Sequence, residues 1–188
     1  LSANLPALTA FVNWVGAYNV AAPAPDRFRA LNLDVEGYLV PGWSTDPSTV
    51  VSQWMGNIQT ATSDAAAAGL SVSVDIPFWL DTVTAVGANE PFGRWMAQNT
   101  AQIVIMAYRN SASGVLSLAA AELADAAAAG RPAVVAVDTT DSGSTTSFYG
   151  STQAALGQAL NQIATSSGAG FGGWAVNEYE TWSVMPPT

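Results

Sequence analysis

The chain has 188 residues, 49% of them hydrophobic and 10% charged, enough to bury one globular core and too apolar for disorder. It contains neither cysteine nor histidine, which excludes disulfides, thiolate zinc sites and cysteine nucleophiles and removes the commonest general base; carboxylates and tyrosines are left for proton transfer. Five arginines stand against fourteen acids, and a net charge of -9 would repel a phosphate backbone, so no nucleic-acid partner is expected.

No stretch reaches the roughly 18 to 20 apolar residues of a membrane span, and no basic segment precedes an apolar one at the front as in a signal peptide. The chain opens at Leu1, without an initiator methionine, inside what reads as an amphipathic helix; the expectation is a processed or partial chain. A strand is predicted over 30–36, where Leu31, Leu33 and Val35 share one face and Asn32, Asp34 and Glu36 the other. A polar loop and a helix over 48–68 follow, closing on Asp64-Ala-Ala-Ala-Ala-Gly69. The strand over 71–79 again alternates, with Val72, Val74, Ile76 and Phe78 opposite Ser71, Ser73, Asp75 and Trp79. After a short helix come a strand over 102–109 and a helix over 114–129, which closes on a second copy of the same motif, Asp125-Ala-Ala-Ala-Ala-Gly130. A strand ending at Asp138, a helix over 152–166 and a last strand over 171–179 complete the chain. Glycine just past a helix supplies the left-handed residue that ends it, so each copy of the motif reads as helix, glycine, strand.

Strands alternating with helices predict a parallel sheet with right-handed crossovers. A doubly wound sheet would bury both faces in apolar residues, whereas polar side chains gathered near strand ends fit the interior mouth of a (β/α)8 barrel. A whole barrel needs about 250 residues. The five strands here are therefore read as the C-terminal five βα units of a (β/α)8 TIM barrel, one domain over 1–188, with the helices on the outer face only.

Carboxylates two residues apart on one strand face lie roughly 7 Å apart at Cα and couple, so that one charge raises the pKa of the other and keeps a proton available. That makes Glu36 the candidate general acid and Asp34 its partner. Asp75 and Trp79, at the end of the second strand, suit hydrogen bonding to a sugar hydroxyl and stacking on its ring; turn chemistry before a proline is the plain alternative for Asp75. Asp138 reads equally as a site residue and as a turn cap. Glu178 and Glu180 flank Tyr179 at the last strand's end, and parity does not choose between Glu178 and Asn177. Trp14, Trp54 and Trp95 lie in helical runs and are expected in the core, while Trp43, Trp79 and Trp182 lie where a carbohydrate could stack.

Asn32-x-Asp34-x-Glu36 at a strand end resembles the acidic signature of glycoside hydrolase family 18. The resemblance implies that Glu36 is the proton donor and that Asp34 orients a substrate N-acetyl group; Asn32 and Arg29 stand where the family carries further aspartates. Met106-Ala107-Tyr108-Arg109 is similar to the family's Met-x-Tyr, which implies a substrate-facing hydroxyl on Tyr108. Gly173-Trp174 and Trp182 resemble its tryptophan-bearing last strand. The whole run, with Leu-Asp-Val-Glu, Asp-Ile-Pro-x-Trp and Met-Ala-Tyr-Arg in succession, resembles bacterial barrel proteins related to glycoside hydrolases. The expected activity is hydrolysis of glycosidic bonds in an oligo- or polysaccharide, without metal or cofactor, in an extracellular or cell-envelope setting. If the substrate's own N-acetyl group is the nucleophile, no second carboxylate is required; in the other layout Asp138 is the nucleophile. The rival class is an inactive carbohydrate-binding or structural barrel.

Overall fold

The computed structural model describes residues 2–188; Leu1, where the sequence reading begins its first helix, lies outside them. Helices and strands alternate as α1 (Leu5–Ala21), β1 (Ala30–Leu33), α2 (Pro47–Ala67), β2 (Ser71–Pro77), α3 (Phe92–Asn99), β3 (Gln102–Met106), α4 (Ala112–Ala128), β4 (Ala133–Asp138), α5 (Gln153–Ser166), β5 (Phe171–Asn177) and a short α6 (Tyr179–Ser183). Three helices start at the side-chain caps that helix N-termini favour: Asp46 accepts from the Thr49 amide, Ser111 from Gly114 and Thr152 from Ala155. The glycine motif ends α2 and α4 as its sequence predicts. Gly69 and Gly130 take φ of +73° and +66°, and the next amides, Leu70 and Arg131, reach back to the Ala65 and Ala126 carbonyls. The helix is thereby closed and the chain turned directly into a strand.

The five strands form one parallel sheet in the order β1-β2-β3-β4-β5, each paired with the next in sequence. Helix packing follows the same order, α1 on α2, α2 on α3, α3 on α4 and α4 on α5, so the helices make one layer over one face. Leu31, Leu33, Val72, Val74, Ile76, Ile103, Ile105, Val135 and Val137 point into that layer and are buried. The opposite parity carries Asn32, Ser73, Asp75, Val104, Met106 and Val134, all partly or wholly exposed. This is the arrangement of part of a (β/α)8 barrel: helices outside, the interior face polar and open. Among the described residues, the outer edges of β1 and β5 pair with no strand. No helix among them is long and apolar enough to cross a membrane.

Two sequence expectations are corrected. Trp54 and Trp95 are core residues, but Trp14 is 61% exposed. Helix α1 packs mainly on α2 and buries only Val12 and Val15, so its aromatic residues form a surface ridge, Phe11 on Trp14, Trp14 on Tyr18 and Tyr18 on Phe28. Strand β1 also ends at Leu33 rather than at residue 36. Asp34 and Glu36 therefore sit in the loop leaving the strand, where alternation no longer fixes their directions.

Candidate active site

The C-terminal ends of β1, β2 and β3 bring together the polar side chains that the sequence singled out. Asn32, on β1, donates to Asp75 on β2 at 2.8 Å and accepts from Ser73 at 2.6 Å, so it bridges the two strands and fixes the Asp75 carboxyl. Burial pushes Asp75 up to about 6; the Asn32 bond opposes the shift, and the charges of Asp34 and Glu36 add to it. Asp34 is shifted in the same direction, first by partial burial and then by Glu36. The chain then enters a single 3-10 turn, Gly37–Leu39, in which the Tyr38 hydroxyl donates to Glu36. Gly37 permits this approach, because a Cβ there would lie 2.5 Å from the Trp54 ring. Tyr108, beyond the end of β3, feels the charges of Asp138, Asp75, Asp34 and Glu36, which with burial keep its hydroxyl protonated. Tyr38 is held protonated likewise, chiefly by burial and by its bond to Glu36.

Aromatic side chains wall this cluster. Trp79 meets Tyr38 edge to face at 5.2 Å and Trp43 at 6.0 Å, and Arg109 lies over the Phe78 ring at 5.7 Å. Between them is a cavity of about 230 Å³ lined by Glu36, Tyr38, Phe78, Trp79, Tyr108 and Arg109, among others. It is smaller than the roughly 300 to 1,000 Å³ of most ligand pockets. A larger cleft, about 520 Å³, lies between residues 147–151 and α5, but amides and hydroxyls line it and no carboxylate does. Of the two, the smaller has a carboxylate in its lining, Glu36.

Asp138 is placed differently. It is 1% exposed and accepts from the Thr140 amide and hydroxyl, the Ser142 hydroxyl and the Asn177 amide, so its oxygens are taken up in fastening the loop after β4. Asn177 rather than Glu178 turns its side chain into this network, which resolves what parity left open. Glu178 is exposed, and Trp182 rests on Tyr179 at 5.9 Å within α6; neither lines the cavity. Residues 178 to 180 belong to the start of α6, not to a strand end as the sequence implied. Among the described residues, no cluster of carboxylates is placed to hold a metal ion.

Sequence reasoning gave no site role to Tyr38 or Arg109 and placed Phe78 on the apolar face of its strand, yet all three line the cavity. It also passed over Glu122 on α4, which is 0% exposed and accepts from the Asp81 amide at 2.7 Å.

No family model matches the chain, and no curated protein matches it. Among solved structures it is similar to the PgaB (BpsB) glycoside hydrolase domain from Bordetella bronchiseptica, at 12% identity and a TM-score of 0.44, over 78% of this chain and 42% of that one. The chain thus spans less than half of that domain's length. A likeness of this degree leaves the fold resting on the sheet's own order and register.

Proposed function

We propose that this chain carries the acidic site of a glycoside hydrolase of the family 18 kind, with Glu36 as general acid. The observation that supports it is the convergence of Glu36, Asp34 and Asp75 with two protonated tyrosines beside an aromatic-walled cavity at the C-terminal edge of a parallel sheet. Tyr38 orients the Glu36 carboxyl toward the glycosidic oxygen; Asp34 and a partly protonated Asp75 hydrogen-bond the sugar; Tyr108 donates to a substrate carbonyl or hydroxyl; Trp79 stacks on the ring. Asn32 positions Asp75. Glu178 and Trp182 would act on a longer saccharide reaching toward β5, past Asp138, which holds its own loop. Protonation of the leaving oxygen by Glu36 breaks the glycosidic bond, and water then adds to the anomeric carbon and returns its proton to the Glu36 carboxylate. An extracellular or cell-envelope setting follows from the polysaccharide substrate.

A second reading is favoured by one observation: of the three carboxylates Asp34, Glu36 and Asp75, Glu36 alone lines the cavity. An inactive carbohydrate-binding or structural barrel fits that as well. Initial rates on soluble chromogenic oligosaccharides, N-acetylated and plain, separate the two. Turnover that disappears in Glu36→Gln supports the hydrolase; saccharide binding without turnover supports the module.

A further inference from the structure

Glu122 has no part in the site just described, yet it grips the segment that carries one wall of it. Its carboxyl is fully buried on α4, a helix whose run of alanines gives no reason to bury a charge. One oxygen, Oε1, accepts from the Asp81 amide at 2.7 Å, and the Leu80 amide also favours the charged form of the carboxyl. The other, Oε2, is the one buried side-chain oxygen or nitrogen among the described residues with no partner. It fills the space where a side chain at Gly93 would be, since a Cβ there would stand 1.9 Å from it. The turn held in this way, Leu80–Thr82, begins at Trp79, whose carbonyl accepts from the Thr82 hydroxyl at 2.7 Å. From Trp79 the contacts run to Tyr38 and from Tyr38 to Glu36.

We propose that Glu122 is a proton-operated latch: its protonated carboxyl holds the Leu80–Thr82 turn closed, and with it the Trp79 wall of the cavity, and its ionisation releases both. A buried carboxylate with one oxygen unpaired is only partly compensated for its desolvation by the bond at the other, and the way to relieve the rest is to open the turn toward water. The surrounding charges do not compensate. Asp81 on the turn and Asp125 one helical turn along α4 are both negative, and the nearest cation, Arg94 of α3, is already paired with Asp125 at 2.6 Å. Helix α5 and strand β3 carry no charged residue, and β4 contributes only Asp138, bound up at its far end. Burial accordingly pushes Glu122 up to about 8, against the pull of the Asp81 and Leu80 amides, so the latch works just above neutrality.

That the latch regulates saccharide capture rests on the reading of the site given above; the latch itself is read without a saccharide. The protein is labelled with 5-fluorotryptophan, the Trp79 resonance is assigned by its loss in Trp79→Phe, and ¹⁹F spectra are recorded from about pH 6 to about pH 10. In the wild type the Trp79 resonance should move along a single titration curve centred near 8, and in Glu122→Gln, which keeps an acceptor for Asp81 but cannot ionise, it should stay still. A stationary wild-type resonance overturns the proposal, and so does one that still titrates in Glu122→Gln. Should that variant fail to fold, hydrogen exchange of the Asp81 amide in the wild type decides the matter: its protection should fall by up to about tenfold per pH unit as pH rises toward about 8 and level off above it, and constant protection overturns the latch. Because no sugar enters either measurement, a failed latch leaves the hydrolase reading standing, and an inactive enzyme leaves the latch standing.

Discussion

At the β4–β5 end of the sheet, Asp138 is buried and receives hydrogen bonds from Thr140, Ser142 and Asn177. At the β1–β3 end, Glu36 receives one from Tyr38, Asp75 one from Asn32, and Asp34 stands exposed beside them. Both ends place carboxylates at the C-terminal edge of parallel strands, the location that supports catalysis in barrel enzymes. What separates them is how much acceptor capacity the protein has already used. A carboxylate surrounded by its own loop's donors holds that loop, while one with free lone pairs and like-charged neighbours is available to a substrate and to a proton.

If that contrast is right, substitutions at the two ends fail in different ways. Glu36→Gln keeps the shape and the acceptor for Tyr38 but delivers no proton, so the rate of glycoside hydrolysis should fall by about 10² to 10⁴ with circular dichroism and saccharide binding unchanged. Asp34→Asn should slow turnover by a smaller factor. Wild-type rates in Glu36→Gln would remove the acid from its place.

Asp138→Ala should do the reverse. It leaves the Thr140, Ser142 and Asn177 donors without their acceptor, and urea unfolding should show a loss of about 2 to 4 kcal/mol. Any activity of the folded fraction should survive. A fully stable but inactive Asp138→Ala would instead favour Asp138 as nucleophile.

The sheet was legible in the sequence because its signals are local. The repeated Ala-Ala-Ala-Ala-Gly closes two helices through backbone bonds of its own, and the apolar parity of 72, 74 and 76 follows from the pleat. The site was legible only in composition. Alternation from Asn32 to Glu36 continues past Leu33, where the pairing with β2 stops, so the sequence brought the acids to the right edge by a strand that does not extend that far. Trp14 departs from the expectation because helical apolar residues are buried only if a second element covers them, and the Phe11, Trp14 and Tyr18 side of α1 is left exposed. Glu122 looks like an ordinary solvated charge on a helix; only the tertiary meeting of Gly93 with the turn after Trp79 encloses it.

A smaller effect separates the aromatic residues of the two ends. Trp79 lines the cavity and Trp182 does not, so Trp79→Ala should weaken binding of a short oligosaccharide by about tenfold, the scale of one aromatic contact, while Trp182→Ala changes it less than about twofold. Titration calorimetry with the same ligand reads both. Equal losses would mean that the bound saccharide spans the whole edge from β2 to β5.

The smallest effect tests the electrostatic half of the contrast, and it is read as stability against pH. Asp75 carries a carboxyl raised from its ordinary 3.8 to about 6 in the folded chain. Between those values the folded protein keeps a proton that the unfolded chain has lost, so unfolding releases it, and stability falls as pH rises from about 4 to about 6 and then levels off. The group is partly open to solvent, and after allowance for screening the loss should be roughly 1 to 2 kcal/mol. Glu122 titrates with the same sign over an overlapping range, so the wild-type curve alone does not isolate Asp75. The comparison with Asp75→Asn does, because asparagine still accepts from Asn32 but carries no charge. The difference between the two urea-derived stability curves should grow in favour of the variant from about pH 4 to about pH 6 and stay flat above. A difference that does not change with pH would mean that Asp75 is solvated and ionises as it does in the unfolded chain, and the β1–β3 end would then have no carboxyl set apart for proton transfer by its burial.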